Sequence, residues 1–221
     1  MEQIRRRIKA AAEKNGRKSE NVTLVAVTKT RSEREIAELK TLGIRIIGES
    51  RVQELAEKYP ALKGSFEIHF IGHLQTNKVK QAVEMADMIH SVDSFKVASA
   101  IEAECQNLGK QMDVLLQVNT SSEPQKSGVT PEGLEELLLK VSGLQNLRVR
   151  GLMTMAMISE DNDKIRACFR KLREIREEIL RKGADPAQFL HLSMGMSDDF
   201  ELAVEEGATL VRVGSALFTE S

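Results

Sequence analysis

The stretch VTLVAVTKTRSEREIAELKTLGIRIIGES, residues 22–50, decides the fold class. It opens with an apolar run that predicts a strand over Thr23–Thr28, and it closes with a second predicted strand over Ile44–Gly48. Between them, Ser32 and Glu35 have the spacing of a capping box, which predicts the start of a helix. A helix that joins two short apolar strands is the unit from which parallel sheets are built.

The same alternation of strand and helix continues along the whole chain. Further strands are predicted over Glu67–Ile71, Met88–Val92, Asp113–Asn119, Arg148–Thr154, Phe189–Ser193 and Leu210–Val213. Eight strands are the number that closes a (β/α)8 barrel. We therefore predict an α/β fold, a single TIM barrel with one domain over residues 1–221. An open doubly wound sheet would give the same alternation and is the alternative.

Composition excludes several classes of protein. Lys and Arg number 32, Asp and Glu number 33, and the formal net charge of -1 provides no field to attract nucleic acid or an anionic membrane. No apolar run is long enough to span a bilayer, and the N-terminus lacks the apolar core of a secretion signal. Cys105 and Cys168 lie in helical patterns and are expected to be buried thiols. We expect a cytoplasmic protein.

Polar residues collect after the predicted strands, where α/β proteins bind ligands. Lys29 follows the apolar run VTLVAV directly. A lysine that is partly buried there would favour its neutral amine, the form that attacks an aldehyde to make a Schiff base. An ordinary surface lysine is the alternative interpretation.

The segments LSMGMSDDF (192–200) and LVRVGSALF (210–218) surround the last two strands. In barrels the loops at this position often bind phosphate, since backbone N–H groups and a helix N-terminus meet there. The small residues that would allow this are Gly195, Ser197, Gly214 and Ser215. Asp198 and Asp199 would repel a phosphate, so we expect them to face solvent.

Arg212 lies inside an apolar strand and requires a partner, for which a carboxylate such as Glu49 is one candidate. The four histidines have no metal-ligand spacing and no nucleophile beside them, so we interpret them as packing or hydrogen-bonding groups. They are His69, His73, His90 and His191. No metal site and no catalytic residue are predicted.

Long motifs over nearly the whole chain resemble those of the pyridoxal phosphate homeostasis protein family, which is similar to the barrel domain of alanine racemase. The motifs are LVAVTKT (24–30), IIGESRVQE (46–54), HFIGHLQTNK (69–78), SVDS (91–94), VNTSSEPQKSGV (118–129), GLMTM (151–155), LSMGMSDDF (192–200) and VRVGSALF (211–218). The resemblance implies a barrel of the alanine racemase type without the second β domain. One departure is Ser50, where the family usually has asparagine.

The resemblance also implies that pyridoxal 5′-phosphate (PLP) is held as an internal aldimine on Lys29, that Arg212 points at the pyridine nitrogen, and that Ser197, Gly214 and Ser215 hold the phosphate. The cofactor-binding residues predicted in this way are Lys29, Ser50, Met196, Ser197, Arg212, Gly214 and Ser215.

A cation beside the pyridine nitrogen keeps it unprotonated, which weakens the ring as an electron sink. Alanine racemases use a tyrosine across a dimer interface, whereas Tyr59, the only tyrosine here, falls in a predicted helix. We therefore predict a monomeric, non-catalytic PLP carrier that buffers the cofactor or delivers it to PLP-dependent apoenzymes. A racemase of low activity and a Schiff-base aldolase acting on sugar phosphates are the alternatives.

Overall fold

The structure, a computed structural model, describes residues 1–121, 123 and 125–218. Eight parallel strands pair in the order in which they occur in the chain, and the first pairs with the last. They are β1 (Thr23–Val27), β2 (Ile46–Glu49), β3 (Glu67–Phe70), β4 (Met88–Val92), β5 (Met112–Gln117), β6 (Leu147–Met153), β7 (His191–Ser193) and β8 (Leu210–Val213). The closed barrel confirms the predicted fold class and excludes the open sheet.

Helices surround the barrel and connect its strands. They are α1 (Glu2–Glu13), α2 (Glu33–Thr41), α3 (Val52–Leu62), α4 (Val79–Met85), α5 (Phe95–Leu108), α6 (Leu134–Ser142), α7 (Asn162–Arg181), α8 (Phe200–Glu205) and the short α9 (Ser215–Phe218). The capping box at the start of α2 is confirmed: Glu35 N donates to Ser32 Oγ at 3.3 Å, and Ser32 N donates back to Glu35 Oε2 at 2.8 Å.

Two strands begin later than predicted, because the chain first completes a turn. The N–H of Ile44 donates to the carbonyl of Leu39, which closes the end of α2 before β2 begins at Ile46. The N–H of Phe189 donates in the same way to Asp185, and β7 begins only at His191. The central residues of every predicted strand are nevertheless strand residues.

Two layers of core result from this arrangement. The outer layer lies between strands and helices, and α7 contributes buried side chains from one face, among them Cys168 and Phe169. The inner layer fills the barrel with a cluster made of Val25, Met88, Leu115, Met153 and Leu210. Cys105 and Cys168 are both buried and unpaired, as expected. Within the described part of the chain, no helix combines the length and apolarity needed to cross a membrane.

Candidate functional site

A cavity of about 410 Å³ opens at the carboxyl ends of the strands, and we call it the mouth cavity. All seven residues predicted to bind the cofactor line it: Lys29, Ser50, Met196, Ser197, Arg212, Gly214 and Ser215. The structure thus brings them together, although a cofactor-binding role for them stays a prediction. A larger hollow of about 970 Å³ lies at the opposite end of the barrel, but it is more open and contains none of these residues.

Lys29 is exposed, which corrects the expectation that it is partly buried. The reason lies in the backbone: β1 ends at Val27, and the chain turns outward at Thr30, whose φ is 61°. A β-branched residue in this left-handed region is strained by about 1 to 2 kcal/mol. The surroundings must therefore hold the turn in place.

A group of three charged side chains holds both neighbours of Lys29, and we call Glu49, Glu54 and Lys58 the turn clamp. The Lys58 ammonium donates to the carbonyl of Thr28 at 2.9 Å and to Glu49 Oε1 at 2.9 Å. Thr28 Oγ1 donates to the same Glu49 oxygen at 2.7 Å. The N–H of Thr30 donates to Glu54 Oε2 at 2.9 Å, which lowers the pKa of that carboxyl group.

Sequence reasoning missed the clamp, although Glu49 stood among the residues at the strand ends. Lys58 lies nine residues further along, in α3, and the helical pattern gives no sign that it is buried. Its side chain is only 11% exposed, and that of Glu49 is fully buried. The turn clamp thus contains a buried ion pair, between Lys58 and Glu49, that supports the turn carrying Lys29.

On the other side of the mouth cavity, two glycines allow the backbone to come close. Gly214 N donates to Ser197 Oγ at 3.2 Å, and a Cβ at Gly214 would lie 3.2 Å from Val27 Cβ. Gly195 has a φ of 92°, and a Cβ there would lie 2.5 Å from Ala203 Cβ. Backbone N–H groups and hydroxyls meet here at the start of α9, as an anion site requires.

The two aspartates after Ser197 differ in position. Asp199 accepts a hydrogen bond from the N–H of Met196 and is half-buried, and this burial raises the pKa of its carboxyl group. The expectation that both face solvent is therefore wrong for Asp199, whereas Asp198 is exposed, as expected, and also lines the mouth cavity. The reason is that it lies in the turn between β7 and α8, directly beside Ser197.

Arg212 is buried, with 3% of its surface exposed. Its NH1 donates to Ser193 Oγ at 2.6 Å, and its NH2 donates to the carbonyl oxygen of Thr154 at 2.9 Å. The suggested partner Glu49 is wrong, because that carboxylate is paired with Lys58. Burial lowers the pKa of Arg212 to about 10, so the side chain is still a cation at neutral pH.

His73, which we interpreted as a packing or hydrogen-bonding histidine, also lines the mouth cavity. Its Nδ1 lies 3.6 Å from Asp93 Oδ2 and 3.5 Å from Ser127 Oγ. Gly72 precedes it, and a Cβ at Gly72 would lie 2.1 Å from the carbonyl oxygen of Ser50. Only glycine permits this approach of the loops that follow β2 and β3.

The segment 118–129, which we call the rim loop, borders the cavity beyond β5. Asn119 holds its described residues together: the backbone N–H donates to the carbonyl of Val129 at 2.9 Å, and Nδ2 donates to the carbonyl of Glu123 at 2.8 Å. Gln117 Nε2 donates to the carbonyl of Ser127 at 3.1 Å, and Lys126 Nζ donates to Ala156 at 2.9 Å. The described residues of the rim loop are therefore tied to one another and to the residues that flank the loop.

Comparison with known proteins places this geometry in a family. The family model described as alanine racemase, N-terminal domain, matches residues 1–221. A protein of Aquifex aeolicus named pyridoxal phosphate homeostasis protein is 43% identical over 221 residues, which cover 100% of this chain and 96% of that protein.

Two solved structures complete the comparison. PipY of Synechococcus elongatus PCC7942, whose structure was solved with PLP bound, is 38% identical, with a TM-score of 0.82 over 90% of this chain and 93% of that one. The alanine racemase of Clostridium difficile 630 shares the fold with a TM-score of 0.77 at 13% identity, over 98% of this chain and 59% of its own. The chain therefore belongs to the family of alanine racemase N-terminal domains and, within it, to the pyridoxal phosphate homeostasis proteins.

Proposed function

We propose that this protein binds PLP in the mouth cavity, with Lys29 as the covalent attachment point, and acts in PLP homeostasis without catalysing a reaction of its own. The observation that carries the proposal is the convergence of all seven predicted cofactor residues, from the ends of the four strands β1, β2, β7 and β8, on one cavity. The names of the relatives and the PLP-bound structure of PipY support the choice of cofactor.

The residues of the cavity fit the chemical parts of PLP. The Lys29 amine is exposed to the cavity and can reach an aldehyde. Gly214, Ser197 and Ser215 offer backbone and hydroxyl groups of the kind that bind a phosphate. The Arg212 cation donates but cannot accept a hydrogen bond, which suits an unprotonated pyridine nitrogen.

The same arginine supports a role without catalysis. Bound PLP supplies an electron sink for amino-acid chemistry only as far as its ring is activated, and Arg212 opposes protonation of the ring. Tyr59 gives no help, because it lies on α3, where its hydroxyl donates to the carbonyl of Glu84 at 3.5 Å. We propose further that residues 1–221 form one domain. The protein then acts as a cytoplasmic monomer that exchanges PLP with apoenzymes.

The first experiment is a titration with PLP followed through the visible spectrum, with borohydride reduction and peptide mapping at the end. We expect a visible band and a pyridoxyl group on Lys29. Lys29→Ala is expected to lose both, whereas Lys40→Ala, at an exposed lysine of α2, should retain both. A label scattered over surface lysines would disprove the proposal.

A second experiment separates the carrier from an enzyme. The loaded protein is incubated with L- and D-alanine and with an apoenzyme that requires PLP. We expect activation of the apoenzyme and no change in the proportion of the two enantiomers beyond that given by free PLP. Racemisation that disappears in Lys29→Ala would instead establish the racemase alternative.

A further inference from the structure

A line of polar side chains crosses the interior of the barrel, from the mouth cavity to the opposite end. We call it the interior chain, and its members are Arg212, Ser193, His90, His69 and Glu67. Glu67 is the first residue of β3, and its side chain is 49% exposed at the amino-terminal end of the barrel. Branched apolar side chains normally fill such an interior, so a polar line through it requires a physical reason.

Each link of the interior chain has the length of a hydrogen bond. The NH1 of Arg212 donates to Ser193 Oγ at 2.6 Å, and this oxygen lies 3.0 Å from His90 Nδ1. His90 Nε2 lies 2.9 Å from His69 Nδ1, and His69 Nε2 lies 2.9 Å from Glu67 Oε1. The three middle residues are at most 1% exposed. Their polar atoms are therefore satisfied by one another.

The two ends of the interior chain fix the direction of donation. A guanidinium group only donates, and a carboxylate only accepts. The hydrogen bond from His69 lowers the pKa of Glu67, so that Glu67 is a carboxylate and His69 carries its proton on Nε2. With that proton on Nε2, the Nδ1 of His69 is free to accept, and His90 then donates to it from Nε2.

Burial keeps the pKa of His90 well below its ordinary value, so this ring is neutral. Its Nδ1 is then an acceptor, and the Ser193 hydroxyl donates to it. Every hydrogen bond consequently points the same way, from Arg212 to Glu67. Bonds aligned in this manner polarise and strengthen one another.

The opposite arrangement is unfavourable. If His90 donated from Nδ1 to Ser193, then His69 would have to donate from both nitrogens, one proton to His90 and one to Glu67. That would require a protonated His69, which even with the Glu67 carboxylate beside it places a second cation in the interior that already holds Arg212. The serine hydroxyl would also need a new acceptor.

We propose that Glu67 is a positioning residue for the mouth cavity: it fixes the tautomers of both buried histidines and thereby holds the guanidinium of Arg212 at the other end of the barrel. Glu67 touches neither the cavity nor any ligand in it, and it acts only through the interior chain. This inference rests on the proposed function only for the identity of the ligand that meets Arg212.

The test is the nitrogen-15 spectrum of the histidine side chains at neutral pH, recorded on the full chain without added PLP. We expect neutral His69 and His90, both with the proton on Nε2. Glu67→Ala should convert both rings to mixtures of tautomers, and Glu67→Gln should restore His69, since the amide oxygen still accepts. Glu20→Ala, at an exposed carboxylate at the same end of the barrel, should change nothing.

A second measurement reports on the cavity itself. PLP affinity should fall about threefold to tenfold in Glu67→Ala, and Glu67→Gln should recover part of it. A proton on Nδ1 of His90, a protonated His69, or tautomers unaltered in Glu67→Ala would each overturn the proposal. Because the tautomers are read without PLP, a failure of the protein to bind PLP would count against the proposed function alone.

Discussion

Two cationic side chains line the mouth cavity, and the chain holds them in opposite ways. Lys29 is exposed on a strained turn, and the residues around it are fixed by the charged turn clamp. Arg212 is buried, and its described partners are neutral oxygens of Ser193 and Thr154. Under the proposed function, the amine that reacts with an aldehyde needs access, whereas the cation that orients the ring needs a fixed position. Charged side chains thus hold both neighbours of Lys29, whereas Arg212 is held by hydrogen bonds to neutral oxygens, and the charge of Asp199 acts on it at longer range.

The largest expected effect comes from breaking the support of the lysine side. Lys58→Met leaves Glu49 buried without its cation, which should lower the free energy of unfolding by about 3 to 5 kcal/mol. Denaturant unfolding measures this. Lys63→Met, at an exposed lysine that ends the same helix, is the control and should change little. Adding Glu49→Gln to Lys58→Met should recover much of the lost free energy of unfolding. A small loss in Lys58→Met alone would mean that Glu49 is not held by the ion pair.

The barrel interior should respond to acid instead, through His90, which Ser193 links to Arg212, and through His191, which begins β7 at the opposite end of the barrel. Burial lowers the pKa of His191 to about 4, and His90 is lowered as well. In the unfolded chain both take up protons below about pH 6.5. Stability is therefore complete above that pH and falls as the pH decreases toward 4, by about 1 to 2 kcal/mol for His191 between pH 7.5 and 5.

Unfolding measured over this pH range checks the prediction. His191→Asn should flatten the dependence on pH, whereas His73→Asn, at a histidine whose side chain is 56% exposed, should leave it unchanged. An equal slope in the wild type and in His191→Asn would show that this ring is not held neutral.

At Gly214, we expect a substitution by alanine to weaken PLP binding without changing the free energy of unfolding. An alanine there adds a Cβ 3.2 Å from that of Val27, a contact that a small shift can relieve. Under the proposed function the phosphate approaches the backbone at Gly214, and an added methyl group hinders that approach, so PLP affinity should fall about tenfold, or about 1.4 kcal/mol. Gly143→Ala, on the surface at the end of α6, is the control for a titration followed by absorbance. Unchanged affinity would place the phosphate elsewhere.

The smallest effect is expected at Thr30, where glycine removes the strain of a positive φ. Relief of about 1 to 2 kcal/mol is opposed by about 0.5 to 1 kcal/mol from the greater freedom of glycine when unfolded. Thr30→Gly should therefore be more stable by about 0.5 kcal/mol, as thermal unfolding can test. A loss of stability would mean that the threonine side chain itself supports the turn.

The difference between the two sides also explains what sequence could predict. The residues at strand ends were visible because parallel strands bring their carboxyl ends to one face, wherever each strand lies in the chain. The turn at Thr30 could not be predicted, since a strand pattern does not indicate how the chain leaves the strand. Exposure of Lys29 depends on that turn.

The interior chain could not be predicted from the sequence for another reason. His69 and His90 are 21 residues apart, and His90 and Ser193 are 103 residues apart. Only closure of the barrel, which sets the register of each strand against the next, brings these side chains into line. The sequence indicated that the histidines form hydrogen bonds, but it could not identify their partners.

The rim loop has a thermodynamic consequence. Its described residues are already tied down by Asn119, Gln117 and Lys126 before any ligand arrives. A ligand that enters the site does not bear the entropy of ordering these described residues. Under the proposed function, association should then be governed by diffusion and by formation of the bond to Lys29, without a slow step that orders these residues. Under the proposed function, the fraction of protein with PLP bound can then follow rapid changes in the concentration of free PLP.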